Sequence, residues 1–125
     1  MVNFQNHPNM TVAIIPEGIT ISNTNFRRAF ASMYNLTKVN LPSSITDLDE
    51  TFDYCYNLTT AATCGDKVNT MNRTYASCSN LTTAVCGNNV TDMIYTYNSC
   101  RQLKEAVCGP NVVNMIGAYA WCTNL

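Results

Sequence analysis

The sequence predicts an α/β repeat fold, a solenoid of about five stacked turns, because one pattern of residues returns at a nearly fixed interval. Cys55, Cys78, Cys100 and Cys122 lie 23, 22 and 22 residues apart, so the period is 22 with one inserted residue. A column of aromatic residues runs three positions before the cysteine positions and continues upstream of them. Its members are Phe4, Phe30, Phe52, Tyr75, Tyr97 and Tyr119. Six aromatic residues in register indicate one continuous core.

Residues 81–100, LTTAVCGNNVTDMIYTYNSC, show what one copy is expected to form. The run 81–86 reads as a short strand, and Gly87 ends it where the backbone must turn. Met93, Tyr97 and Cys100 then follow at i, i+4 and i+7, the spacing of one face of a short helix. A single copy cannot bury this apolar face alone, so the copies are expected to stack.

The repeats organise the whole chain, 1–125, as a single solenoid with copies near 10–32, 33–54, 55–77, 78–99 and 100–122 and partial copies at both ends. The first copy carries about four extra residues within 21–26, which we expect in a loop between strand and helix. One surplus residue near Thr63 is expected to form a bulge. Because uncapped solenoid ends leave apolar residues open to water, we expect another chain or further sequence to cover them.

The recurring motif Ala/Thr-Phe/Tyr-x-x-Cys/Met-x-x-Leu resembles the signature of BspA-like leucine-rich repeats. Its first two positions are Ala29-Phe30, Thr51-Phe52, Thr74-Tyr75, Thr96-Tyr97 and Ala118-Tyr119. The resemblance implies a curved leucine-rich-repeat solenoid with a parallel strand ladder on the concave face and short helices on the convex face. It also implies a role like those of bacterial surface and adhesion proteins, with related forms in protist and virus-encoded proteins.

Charge is scarce, at 12% of residues, and the formal net charge is only -1. This balance favours neither nucleic acid nor an anionic membrane surface as a partner. No apolar run approaches the roughly 20 residues that span a bilayer, so no membrane insertion is expected. The N-terminal MVNFQNHPNM also lacks the charged-then-apolar order of a signal peptide, so we expect no export signal in this stretch.

The seven cysteines fall into two repeat columns and form no CxxC pair. The columns are Cys55, Cys78, Cys100 and Cys122, then Cys64, Cys86 and Cys108. We expect buried, reduced thiols that pack as small apolar groups, with Cys122 the most accessible. A disulfide along a column is the alternative, since stacked strands lie about 4.8 Å apart, within the Cα range for a disulfide. We expect neither a metal nor a cofactor.

Asparagine recurs in six N-x-S/T sequons, four of which occupy one repeat position: Asn9, Asn35, Asn57 and Asn80. We interpret these four as turn residues whose side chains cap backbone groups. Glycosylation is the alternative, and it would require a secreted eukaryotic protein.

The sequence contains no arrangement typical of a catalytic site, so we do not expect an enzyme. His7 is the only histidine, and there is no Gly-x-Ser-x-Gly motif or phosphate-binding glycine loop. We expect the acidic cluster Asp47, Asp49, Glu50 and Asp53 to be a solvated face.

Side chains that alternate with the inward-facing strand positions are expected on the concave face, where they are mostly small, uncharged or β-branched. They are Val12, Ile14, Lys38, Asn40, Thr60, Ala62, Thr83, Val85, Glu105 and Val107. A ladder that only faces solvent would carry more charge, so we expect all of these except Ala62 to bind a protein or surface-glycan partner. The predicted function is a non-catalytic binding or adhesion module of a bacterial-surface or virion assembly. The alternatives are a structural component of a phage or virus particle, such as a tail or fibre subunit, and a secreted or surface protein of a protist.

Overall fold

The computed structural model describes residues 2–18 and 24–125, and over these the chain is a solenoid whose copies pair in parallel. Strands β1 (Val12–Ile14) and β2 (Lys38–Asn40) form a parallel pair with Val12 opposite Lys38 and Ile14 opposite Asn40. On another side, single parallel bridges join one position of each copy to the next, at Asn25, Asp47, Thr70, Asp92 and Asn114. The first half of the loop expected within 21–26, residues 21–23, lies outside the described residues.

The segments predicted to be helices are consecutive tight turns instead, and the described ranges contain no α-helix. In the copy at 48–55, the amides of Thr51 and Asp53 donate to the carbonyls three residues earlier, at 3.1 and 3.2 Å. The intervening amides of Glu50, Phe52 and Tyr54 each donate to the next copy, at 2.9 Å. An α-helix would instead send every amide to the carbonyl four residues earlier. The helix prediction was therefore wrong for these residues, because pairing between copies satisfies half of the amides.

Two left-handed residues per copy keep this turn segment from closing into a helix. They lie four residues apart, as Glu50 (φ 55°) and Tyr54 (φ 62°) do. The same two positions are left-handed in the other copies: Arg28 and Ser32, Arg73 and Ser77, Tyr95 and Ser99, Gly117 and Trp121. Left-handed residues fit the third position of a tight turn but not a right-handed helix. The apolar spacing nevertheless identified the buried face, since Leu48, Phe52 and Cys55 are all buried.

The aromatic column forms a continuous stack through the core, as predicted. Successive ring centroids from Phe4 to Tyr119 lie 4.6, 5.4, 5.2, 5.3 and 5.3 Å apart, with ring planes within 15° of parallel. Phe30, Phe52, Tyr75 and Tyr97 are fully buried. Large aromatic surfaces dominate core energetics, so this stack is a main source of cohesion between copies.

Buried polar side chains of the repeat motif also join the copies. The Thr51, Thr74 and Thr96 hydroxyls donate to carbonyls of the preceding copy at 2.9, 2.8 and 2.7 Å. In the first cysteine column, each thiol donates at 3.1 Å to the carbonyl of the aromatic residue one copy earlier. Because buried hydroxyls need partners, this contact explains threonine next to the aromatic residue.

All seven cysteines are free, so the disulfide alternative is not formed. The most exposed is Cys108, whereas Cys122 is partly buried, which corrects the expectation that Cys122 would be the most accessible. The reason is the thiol direction: Cys122 points inward to the Tyr97 carbonyl, and Cys108 lies in the last strand-like run.

Asparagines of the sequon column link the copies as the capping interpretation predicted. The side-chain amides of Asn35, Asn57 and Asn80 donate to backbone carbonyls of the preceding copy at 3.1, 2.7 and 2.9 Å. This ladder lies beside the strand-like runs and fixes the corner through which the chain enters each of them.

Candidate interaction surface

The surface predicted to bind a partner, here called the strand face, begins on β1 and β2. Val12 and Ile14 are exposed on β1, with Ile14 60% accessible, and Lys38 and Asn40 are exposed beside them on β2. Parallel pairing places Val12 against Lys38 and Ile14 against Asn40. The structure thus brings two large apolar side chains next to one cation and one amide.

In the later copies the strand face continues through Thr60, Thr83 and Glu105, which are exposed, and Val85 and Val107, which are only partly exposed. The binding role of these nine residues stays a prediction. Among them, Lys38 and Glu105 are the charged side chains, and they lie in different copies.

Ala62 was predicted on this face, but it is buried, and Ala61 is the more exposed of the two. The third copy carries one surplus residue, and side chains alternate between faces along an extended segment. A shift of one residue therefore exchanges inward and outward positions.

Only β1 and β2 are strands in the described residues, so the ladder predicted for every copy is incomplete. In the later copies a tyrosine hydroxyl forms hydrogen bonds with the backbone groups that strand pairing would use. The Tyr97 hydroxyl accepts from the Val85 amide at 2.8 Å and donates to the Val85 carbonyl at 2.6 Å. Tyr119 makes the same two contacts with Val107.

These hydroxyls lie where they are shielded from water, which keeps them protonated. Burial raises the pKa of Tyr119 to about 12 and that of Tyr97 well above its ordinary value. A neutral phenol both donates and accepts, as each contact requires. In these copies, hydrogen bonds within the copy therefore fix the backbone that carries the strand face.

Two members of the acidic cluster predicted to be solvated, Glu50 and Asp53, are instead paired with arginines. Asp53 is buried, and its carboxylate lies 3.2 Å from the Arg73 guanidinium and 4.0 Å from that of Arg28. Arg28 also contacts Glu50 at 2.6 Å. Burial raises the pKa of Asp53, while Arg73 opposes that rise. The charges join neighbouring copies, and this explains why the prediction of a solvated face was wrong for Asp53.

Sequence reasoning missed a cluster of exposed tyrosines, Tyr34, Tyr54 and Tyr56. The Tyr34 and Tyr56 rings stack with centroids 5.2 Å apart, and Tyr54 meets Tyr56 edge-on at 6.0 Å. Tyrosine combines a large apolar body with a polar tip and suits contact surfaces. Tyr34 and Tyr56 are 22 residues apart, which is one repeat period. Residues one period apart lie side by side on neighbouring copies, so this spacing could have predicted the contact.

Two further polar side chains, Glu17 and His7, lie outside the strand face. The Glu17 carboxylate accepts the Ser43 amide at 2.6 Å and the Ser43 hydroxyl at 2.9 Å, so it caps a turn. His7 is exposed. Within these ranges, no three His, Cys, Asp or Glu side chains are grouped so that they could hold a metal ion. Within the described ranges, no helical segment has the length and hydrophobicity of a membrane span.

Comparison with known proteins agrees with this architecture. The family model described as the BspA type leucine-rich repeat region matches residues 2–125 in six copies. A crystal structure of a leucine-rich repeat protein from Bacteroides ovatus is similar with a TM-score of 0.69 and 20% identity. That match covers 83% of this chain but only 29% of the other, so the chain spans less than a third of its structural relative. No curated protein matches the sequence. Because the family model matches nearly the entire sequence, the chain belongs to the BspA-type leucine-rich-repeat family.

Proposed function

We propose that this chain is a non-catalytic interaction module that binds a protein or a surface glycan through its strand face. One observation carries the proposal: Val12 and Ile14 are exposed beside Lys38 and Asn40 on paired strands. An exposed apolar group with a polar rim is typical of contact surfaces. Membership of a repeat family that supplies interaction modules also supports a binding role, without specifying the partner.

The rigidity of the strand face supports this role. Backbone pairing holds β1 against β2, and the inward-facing tyrosine hydroxyls hold Val85 and Val107. Side chains presented by a fixed backbone lose less conformational freedom when a partner binds. The tyrosine cluster offers a second contact area of the same kind.

For the biological setting we propose a bacterial-surface or virion assembly in which the module serves adhesion. A structural component of a phage or virus particle is the second candidate, and a secreted or surface protein of a protist is the third. Mass spectrometry of native material distinguishes them. Sugars on the sequon asparagines would favour the third setting, and co-purifying virion proteins would favour the second.

Binding of the labelled chain to intact bacterial cells and to a glycan array tests the strand face. Ile14→Glu places a charge among its apolar residues, and Val113→Glu is the matched control, because Val113 is 83% exposed in the last copy and outside the strand face. We expect wild type and Val113→Glu to bind alike and Ile14→Glu to bind at least tenfold more weakly. Equal binding by all three, or none by wild type, would contradict the proposal.

We also propose that two large exposed side chains of the last copy, Ile116 and Trp121, contact another chain. Ile116 is 61% accessible and Trp121 is 71% accessible. Sedimentation of the 125-residue chain at rising concentration tests this, with Trp121→Gln as the variant expected to weaken association. A chain that stays monomeric at high concentration and binds no apolar dye would oppose it.

A further inference from the structure

The second cysteine column pairs with a methionine column, and the sulfur atoms of each pair touch. The Sγ and Sδ atoms lie 3.9 Å apart in Cys64 and Met71, 3.7 Å apart in Cys86 and Met93, and 3.6 Å apart in Cys108 and Met115. Each pair is seven residues apart along the chain. The repeat thus places one thiol beside one thioether in each of three successive copies.

The Cys86 sulfur also contacts the backbone of the following copy, next to Cys108. The Gly109 amide, directly after Cys108, donates to the Cys86 Sγ atom at 3.2 Å. A Cβ atom on Gly109 would lie 3.1 Å from that sulfur, so glycine leaves the space that Cys86 occupies. Cys86 therefore packs against the backbone that carries Cys108.

The three pairs differ in their access to solvent. Met71 and Met93 are fully buried, and burial raises the pKa of the Cys64 thiol to about 11. Cys108 is exposed and Met115 is 40% accessible. Only the last pair can therefore bind a dissolved ion without opening the core.

We propose that Cys108 and Met115, with Cys86 behind them, form a binding site for a soft monovalent metal ion, Cu⁺ or Ag⁺. Thiolate and thioether sulfurs are the donors that such ions prefer. A zinc–thiolate bond is about 2.3 Å long, and at a similar bond length one soft ion can contact both sulfurs of a pair 3.6 Å apart.

Binding involves no change of oxidation state. The S–H bond of Cys108 breaks, its proton passes to water, and a bond forms between the thiolate and the ion. Met115 and Cys86 each supply a lone pair. The thiolate and the monovalent ion neutralise each other, which suits a partly buried place.

The donor set also selects against other metals. Calcium and magnesium need oxygen ligands, and structural zinc sites use four Cys, His or carboxylate ligands. No group of three such side chains occurs in the described parts of the chain. A site of two cysteines and a thioether is consequently specific for soft ions.

Titration of the reduced, metal-free chain with Ag⁺ and with Cu⁺, against a competing chelator, tests the site, with ions counted by native mass spectrometry. Met115→Leu removes the thioether at nearly equal volume, which cores tolerate well. Cys108→Ser removes the thiolate. Cys122→Ser is the matched control, because the Cys122 thiol faces a carbonyl and has no thioether partner in contact.

We expect wild type and Cys122→Ser to retain one ion, with X-ray absorption showing sulfur ligands only and one proton released per ion. Met115→Leu should bind at least tenfold more weakly, and Cys108→Ser should not retain the ion. Circular dichroism confirms that each variant is folded. Undiminished binding by Met115→Leu, loss of binding in Cys122→Ser, or no ion retained by wild type would overturn the proposal. These outcomes leave the strand-face proposal untouched, since none of the three sulfurs belongs to that surface.

Discussion

The hydroxyl oxygen of Tyr97 lies 2.8 Å from the amide nitrogen of Val85 and 2.6 Å from its carbonyl oxygen. In the second copy, Phe52 lies twelve residues after Asn40, as Tyr97 lies twelve after Val85, and it has no hydroxyl. There the Asn40 carbonyl accepts the Ile15 amide of the neighbouring copy at 3.0 Å. Phenylalanine thus leaves the backbone free to form strand β2, whereas tyrosine binds it within the copy.

Tyr97→Phe removes both contacts with Val85 while keeping the stacked ring. Since partly buried backbone groups then lose their partner, we expect a loss of about 1–3 kcal/mol in the free energy of unfolding. Urea denaturation followed by circular dichroism measures it. Tyr95→Phe is the control, because the Tyr95 side chain is exposed, and it should change stability by less than about 0.5 kcal/mol. Equal losses in the two variants would contradict this role of Tyr97.

The stability lost on removing an aromatic ring should depend on the position of that ring in the stack. Tyr97→Ala should cost about 3–5 kcal/mol, because it opens a cavity between two stacked rings. Phe4→Ala should cost much less, since Phe4 ends the stack and is only partly buried. Thermal unfolding of both variants checks the difference, and similar losses would show that the stack is not continuous.

Gly109→Ala tests how closely the copies approach. A Cβ atom there would lie 2.6 Å from the Gly87 carbonyl oxygen, which is backbone and cannot turn away. We expect a destabilisation of about 1–3 kcal/mol, typical of overpacking. Urea denaturation of the variant measures this loss.

Gly117→Ala is the comparison for this prediction. The three atoms nearest to the added Cβ atom would all belong to the ring of Tyr95, an exposed side chain that can move. Its left-handed backbone is also tolerated, because the same position carries Arg28, Glu50, Arg73 and Tyr95 in other copies. Gly117→Ala should therefore cost less than Gly109→Ala, and the reverse order would contradict the packing.

Thr74→Val removes a buried hydroxyl that donates to the Leu48 carbonyl at 2.8 Å. Leu48 still accepts the Thr51 amide, so we expect a loss of only about 0.5–1.5 kcal/mol. Thr59→Val is the matched control, since its hydroxyl is exposed and its contact with Thr37 is long, at 3.4 Å. Chemical denaturation of both should separate them, and an unchanged midpoint for Thr74→Val would count against the buried contact.

The buried thiols predict a loss of stability at alkaline pH. Burial raises the pKa of Cys55 from 9.0 to about 12 and that of Cys64 to about 11. Between pH 9 and these values the unfolded chain has lost thiol protons that the folded chain retains. The contribution of these thiols to the free energy of unfolding is therefore fully present below about pH 9. It falls as the pH rises, by up to about 1.4 kcal/mol per pH unit for each thiol. Denaturation at pH 8 to 11 measures the slope, and Cys55→Ala should reduce it.

Thiol labelling gives a second readout of the same burial. At neutral pH a thiol reagent should label Cys108 first and leave Cys55, Cys78 and Cys100 protected until the chain unfolds. If Cys55 were labelled as fast as Cys108, the first cysteine column would be accessible to solvent in the folded chain, which would contradict its burial.

The sequence by itself determined the repeat, the stacked aromatic column and the inward direction of residues such as Leu48 and Phe52. Burial of apolar side chains depends on spacing, and spacing is visible along one chain. The strand-face side chains of β1 and β2 followed from alternation for the same reason. The tyrosine stack of Tyr34 and Tyr56 was also readable from its 22-residue separation, although it was not identified.

Tertiary structure decided where the backbone hydrogen bonds go. Helix and consecutive turns bury the same side chains at 48–55, and only the amides of Glu50, Phe52 and Tyr54, paired with the next copy, select turns. Tyr97 and Phe52 are equivalent in the apolar pattern, yet one hydroxyl decides whether a strand pairs. The shift that buries Ala62 also needed three dimensions, because a surplus residue can be absorbed at several places. Each of these outcomes depends on which hydrogen-bond donor lies close to a carbonyl of the neighbouring copy. The two groups come close only when the copies have stacked.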